Sequence, residues 1–356
     1  MKTLSMLIPL LVMTACFNKP NKEESVSQVS PTSKEDTVLF DQAKLFFKQL
    51  PPDAESKDNA LTAAKVKLGK MLFYDNLLSN SGNNSCNSCH NLAAYGVDNE
   101  VTSVGDNGEH GKRNSPTVFN AALHNMQFWD GRARSVEEQA GMPILTEMAI
   151  PHKGFLVDRL KVEATYKNYF YNAFPGEADP INYTNVQKAI GAFERTLLTP
   201  SRFDKFMHGD FAALTESEKT GMKIFLNVGC ANCHNGVGIG GESLQKFGLY
   251  TDYRTLTNSR VDDQGRMKVT NNKADEDVFK VPGLRNVEKT YPYFHDGSIT
   301  SLDSTIRIMA KIQLDRTFTT DEVQSISGFL RSLTGDVNED AKKPPEELKS
   351  LMKGTM

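Results

Sequence analysis

The feature that most constrains this chain is a five-residue pattern, Cys-x-x-Cys-His, that occurs twice, from Cys86 to His90 and from Cys230 to His234. Two thiols at this spacing add to the vinyl groups of a porphyrin, and the adjacent imidazole turns onto the iron from one side. The pattern predicts two covalently bound haem c groups with His90 and His234 as iron ligands. Zinc would need four ligands per site, usually from paired cysteine clusters, so haem fits the pattern better. Of the five cysteines only Cys16 lies outside the motifs, which leaves no pair for a disulfide.

Met1 to Cys16 reads as an export signal: Lys2 at the start, an apolar stretch from Leu7 to Met13, then the small residues Thr14 and Ala15. It resembles a bacterial lipoprotein signal, with residues 1–15 removed and Cys16 lipidated, although Met13 stands where such signals usually carry leucine. Residues 16–37 are too polar to bury the surface that ordering requires, and read as a flexible tether. Beyond the signal no apolar run approaches the ~20 residues of a membrane span, so lipid at Cys16 is the only membrane attachment expected. With 41 Lys+Arg against 44 Asp+Glu the net charge is -3, which gives no basic surplus for nucleic acid to select. Residues 336–356 form a polar tail, docked or frayed rather than a domain.

Between these ends the periodic segments are helical. Val186, Ile190, Phe193 and Leu197 place one apolar stripe on a helix after a cap candidate, Thr184. Thr215 with Glu218 and Thr319 with Glu322 have capping-box spacing, Gly335 is a C-cap candidate, and Leu302, Thr305 or Ile306, and Met309 share a helix face. Alternating strand patterns are scarce. The fold class expected is all-α with long loops.

Self-comparison exposes a repeat. Gly69-Lys70-Met71-Leu72-Phe73 precedes the first motif as Gly221-Met222-Lys223-Ile224-Phe225 precedes the second. Further on, Pro116, Asn120 and Asp130-Gly131 recur at unchanged spacing as Pro282, Asn286 and Asp296-Gly297. Two tandem haem domains are therefore expected, at 38–199 and 200–335. In this register Trp129 stands opposite His295, so the copies have diverged in function.

The sixth ligand decides what each haem can do: a thioether closes an electron-transfer site and raises its potential, whereas an open position admits a small molecule. In the second copy Met309 is the candidate thioether. In the first the corresponding stretch is Thr146-Glu147-Met148. Either Met148 ligates and both haems carry electrons, or Glu147 faces an open iron.

Asn87-Ser88-Cys89-His90-Asn91-Leu92, Arg113-Asn114-Ser115-Pro116-Thr117, Gln127-Phe128-Trp129-Asp130-Gly131-Arg132, Ala192-Phe193-Glu194-Arg195-Thr196-Leu197, Cys233-His234-Asn235-Gly236 and Tyr293-Phe294-His295-Asp296-Gly297-Ser298 resemble the motifs of bacterial di-haem cytochrome c peroxidases. The similarity runs from about Asp41 to Leu333. It implies two cytochrome c-like α domains, a peroxidatic haem in the first, a His/Met electron-accepting haem in the second, and a homodimer. It further implies a calcium ion held by Asn114 and the carbonyls of Thr290 and Pro292, oxygen donors suited to a hard cation. Glu147 matches the family's acid/base glutamate, Gln139 a pocket glutamine and Trp129 the residue between the haems. A distal carboxylate suits the reaction, because heterolysis of the peroxide O–O bond requires a proton moved from the inner to the outer oxygen.

The resemblance implies a periplasmic enzyme that reduces hydrogen peroxide to water with electrons from a small redox protein, a cytochrome c or a copper protein. A pure electron carrier is the first alternative. An enzyme oxidising a protein side chain is the second, and Met309 stands where those enzymes use a tyrosine. Many family members carry a histidine that blocks the first iron where this chain has Asp106, and His110 in the same glycine-rich loop is the candidate substitute. His295 reads as a structural or propionate contact, and His124, His152 and His208 as surface or packing residues.

Overall fold

The computed structural model describes residues 33–257, 259 and 261–348. Cys16, the export signal and most of the tether lie outside them. Thirteen helices are described: α1 (Lys34–Phe46), α2 (Ala63–Tyr74), α3 (Cys86–Cys89), α4 (Val136–Leu145), α5 (Lys153–Val162), α6 (Ala164–Ala173), α7 (Tyr183–Glu194), α8 (Arg202–Met207), α9 (Glu216–Asn227), α10 (Arg254–Thr257), α11 (Met267–Thr270), α12 (Leu302–Leu314) and α13 (Thr320–Ser332). The only sheet among the described residues pairs β1 (Leu244–Lys246) antiparallel with β2 (Val278–Lys280), Leu244 opposite Lys280. The chain is mostly helical, as expected, and no described helix is long and apolar enough to cross a membrane.

Local chemistry fixes most helix starts. The Thr215 and Thr319 hydroxyls each accept from the backbone N–H of the glutamate three residues on, whose carboxylate returns the bond, so both capping boxes form. α7 begins two residues earlier than its Thr184 candidate, because the Asn182 side chain caps Asn185 N–H. α13 ends at Ser332 with Leu333 as its cap, and Gly335 lies beyond it in a β-bridge with Ser201.

Two helix pairs carry the two cores. α2 crosses α7 and buries Leu68, Leu72 and Phe73 against Val186, Ile190 and Phe193; α9 crosses α13 and buries Met222, Phe225 and Leu226 against Ile326, Phe329 and Leu330. Each crossing is a backbone contact. A Cβ at Gly69 would overlap the Ala189 carbonyl, and one at Gly221 the Ser325 carbonyl, which is why the repeated sequence has glycine there. The loops repeat too. Asn120, Phe128 and Gly131 take left-handed φ of 61°, 64° and 66°, and Asn286, Phe294 and Gly297 take 63°, 71° and 62° at the same offset.

The ends of the described residues cross over between the cores. Leu39, Ala43 and Phe47 of the α1 region pack into the second core, with the Phe47 ring 5.5 Å from Phe203. Burying such a ring is worth roughly 1.5–3 kcal/mol. The expected first unit of 38–199 therefore begins with a segment that serves the other core. In return the described part of the tail docks on the first core through Ala341, whose carbonyl accepts from the Tyr74 hydroxyl at 2.7 Å.

Candidate functional site

Both Cys-x-x-Cys-His motifs sit on single turns that present their side chains together. Ser85 and Ser88 cap the turn of α3, and the His90 N–H donates to the Cys86 carbonyl at 2.9 Å. His234 closes the equivalent turn on Cys230 at 3.0 Å. All four thiols are free rather than paired as disulfides, and burial pushes each above its ordinary range.

The His234 Nδ1 lies 3.2 Å from the Pro282 carbonyl. A carbonyl can only accept, so the proton sits on Nδ1 and the Nε2 lone pair is free for iron. Burial pushes His234 down to about 4, which keeps the imidazole neutral at physiological pH. His90 is shifted down by burial as well, which outweighs the opposing effect of the neighbouring Gly96 and Pro116 backbone.

One cavity of about 290 Å³ runs between these motifs. His90, Trp129, Gln139, Cys230, Cys233, His234 and Met309 all line it. The α12 stripe faces it as a whole, for Leu302, Thr305, Ile306 and Met309 are all on its wall. Asn114, Thr290 and Pro292, the three residues singled out for calcium, line it as well. Free cysteines, neutral imidazoles and a thioether on a mainly apolar wall are the donor set that covalently held haem requires, so the residues fit that group.

Trp129 is fixed in this cavity from both sides. Its Nε1–H donates to the Asn114 carbonyl at 2.9 Å, and its ring meets His295 edge-on with centroids 6.4 Å apart. Two backbone bonds are exchanged around it: Asn114 N–H to the His295 carbonyl at 2.8 Å, and Lys280 N–H to the Trp129 carbonyl at 2.7 Å. Arg113 clamps the same junction, reaching Asp263 through Nε at 2.5 Å and Nη2 at 2.9 Å, and Asp130 through Nη1 at 2.6 Å.

Several expected residues lie elsewhere. Glu147 is exposed, accepts from the neighbouring Thr146 hydroxyl and is not on the cavity wall, although its charge is felt at Cys89 and His90 after the larger effect of burial. Met148 is buried in the first core. His110 is exposed and bonded through Nδ1 to the Thr102 carbonyl at 3.0 Å. Asp106 holds that loop down, its carboxylate accepting from Ser81 N–H at 2.7 Å and Ser81 hydroxyl at 2.5 Å while its own N–H donates to the Glu147 carbonyl at 2.7 Å. His152 caps α5 and His208 ends α8, both exposed.

A sequence profile described as "Di-haem cytochrome c peroxidase" matches residues 63–212. Cytochrome c551 peroxidase of Nitrosomonas europaea is 45% identical over 290 residues, spanning 80% of this chain and 84% of the relative. The protein of the same name from Pseudomonas aeruginosa is 41% identical over 315 residues, spanning 87% and 90%. The chain belongs to the di-haem cytochrome c peroxidase family. It is an oxidoreductase of the peroxidase type. Among solved structures, a "MauG-like protein associated with microbial copper homeostasis" superposes with a TM-score of 0.73 at 27% identity, covering 84% of this chain and 97% of that one.

Three features of this peroxidase were not anticipated from sequence. Glu194 is buried on the cavity wall, and desolvation pushes its carboxyl up to about 8; the matching position on α13 is Leu330. Lys280 and His124 form a polar pair on the same wall. The third is the Arg113 clamp, whose arginine and Asp130 lie inside recognised motifs while Asp263 lies in a loop without periodic pattern. Burial alone would raise Asp263, but the hydrogen bond and charge of Arg113 hold it down to about 2. A depressed carboxyl contributes stability that is present above its unfolded value of 3.8 and is lost as pH falls through about 2. Acid titration of thermal stability should show a loss on the order of 1–2 kcal/mol in that window, absent in Asp263→Asn. Parallel acid curves for the two proteins would remove this role.

Proposed function

We propose that this protein reduces hydrogen peroxide to water with two electrons from a small periplasmic redox protein, a cytochrome c or a copper protein. The observation that carries the reading is the single cavity on which His90, Trp129, His234 and Met309 converge. Haem, when bound at the two motifs, supplies the iron for peroxide reduction at one end and for electron entry at the other. His90 and His234 each offer one imidazole nitrogen to it, Cys86, Cys89, Cys230 and Cys233 tether it, and Met309 closes the second site. Trp129, fixed between the two ligand sets, is the route for electrons. Gln139, on the same cavity wall, is the pocket glutamine of the first site.

Glu147 moves the proton between the peroxide oxygens. Its solvent exposure lets it exchange protons with water, and its charge reaches His90. Met148 is buried in the first core and is not on the cavity wall that Met309 lines, which disfavours a pure electron carrier. Met309 on the cavity wall disfavours side-chain oxidation of the tyrosine-ligated type. Calcium binds at Asn114, Thr290 and Pro292 beside Trp129, a homodimer is the working state, and Cys16 carries the lipid that holds the enzyme at a bacterial membrane.

Each part has its test. Glu147→Gln should leave both haem spectra in place while turnover falls by about 10²–10⁴, the range of a lost general acid/base. Unaltered peroxidase activity would falsify the assignment. For the loop, Asp106 and Thr102 hold His110 outward, so the first haem of the oxidised holoenzyme should be high-spin and His110→Ala should not change it. A low-spin signal that disappears in His110→Ala would show that the loop closes over the iron after all. Fractionation decides the anchor: Cys16→Ser should move the protein from membranes to the soluble periplasmic fraction with haems intact, and a soluble wild type would refute lipidation.

A further inference from the structure

Lys280 is 5% exposed, lies at the end of β2 and lines the cavity. Its one polar side-chain partner among the described residues is His124 Nδ1, at 3.4 Å. An ammonium so placed can only donate, so His124 must be the Nε2–H tautomer with Nδ1 accepting. The His124 ring is held in turn by a cradle of glycines: a Cβ at Gly238, Gly241 or Gly283 would overlap it. A neutral imidazole can orient a buried ammonium but cannot neutralise it, and a buried cation is costly unless an anion completes it. Burial pushes the Lys280 amine down to about 8 with no carboxylate opposing the shift.

The internal repeat places this cation at the junction. In the register that matches Pro116 to Pro282, Lys280 matches Asn114, and the two make reciprocal bonds, Asn114 N–H to the His295 carbonyl and Lys280 N–H to the Trp129 carbonyl. One position has a neutral amide and the other a fixed cation, on opposite sides of one junction. The group that belongs in this cavity, haem, carries two propionate carboxylates.

We propose that Lys280, oriented by His124, is a built-in cation that holds a haem propionate at the junction beside Trp129 and raises the reduction potential of that haem. The proposal rests on the haem reading of the cavity, which haem content tests separately. Lys280→Met removes the charge and keeps the length; Lys280→Arg keeps the charge. Each variant, shown by haem assay to carry two haems, is titrated spectroelectrochemically with the two haems followed individually. Lys280→Met should lower one potential so that the reduced-to-oxidised ratio at a fixed potential falls on the order of tenfold, about 59 mV for a one-electron couple. Lys280→Arg should retain the wild-type value. The haem whose potential moves is the one whose propionate is held. If Lys280→Met does not take up both haems, Lys280→Gln is measured under the same criteria. Two unmoved potentials in a charge-removing variant with full haem content would overturn the proposal, and so would an equal shift in Lys280→Arg, which would mean packing rather than charge.

Discussion

The junction beside Trp129 is the constraint on which the rest of this structure depends. Two helix pairs, each with its own core, could be joined by any linker. What makes them one device is that backbone bonds are exchanged across the join, and that Arg113 of one half grips Asp263 of the other with both carboxylate oxygens engaged. The Arg113 side chain is 17% exposed and that of Asp263 4%, so the pair is shielded from much of the screening that makes surface ion pairs weak. The junction residues Asn114, Trp129 and Lys280 line the one cavity that reaches from His90 to Met309. The exchange of terminal segments, with Phe47 in the second core and Ala341 on the first, ties the halves again at their far ends.

What the sequence made legible is what short-range chemistry controls. The capping boxes of α9 and α13 are bonds between residues three apart, so their residue types announce them. Cys-x-x-Cys-His is legible for the same reason, one helical turn bringing thiols and imidazole together. The start of α7 is ambiguous in the sequence because Asn182 and Thr184 are both cap residues, and only Asn182 has the extended backbone that directs its side chain at Asn185. The fate of α1 was hidden because an apolar stripe reveals which face is buried and not which core receives it.

The site divided along the same line. Met309 is legible as a cavity residue because a helical stripe announces its face, while its ligand role comes from the family resemblance alone. Lys280 and Glu194 are not legible, because a lysine or glutamate in sequence reads as solvated and their burial is created by partners far along the chain. His124 was given a packing role, and its half-buried ring is indeed packed; its pairing with Lys280, however, depends on glycines at 238, 241 and 283 that nothing local connects to it.

Duplication followed by divergence accounts for the chemistry better than either half alone. The two halves keep the parts that set geometry: the glycine at each helix crossing, the left-handed loop residues, the proline beside each histidine. They differ where a side chain enters the shared cavity. Trp129 stands opposite His295, Asn114 opposite Lys280, and Glu194 opposite Leu330. Each exchange alters charge, proton capacity or aromatic character at a position whose backbone the repeat keeps. A scaffold that fixes two equivalent positions and then varies only what projects between them can hold two identical cofactors in unequal electrostatic surroundings. Unequal surroundings set chemically identical groups at different potentials, and in this chain the side chains at matched positions are where such inequality arises.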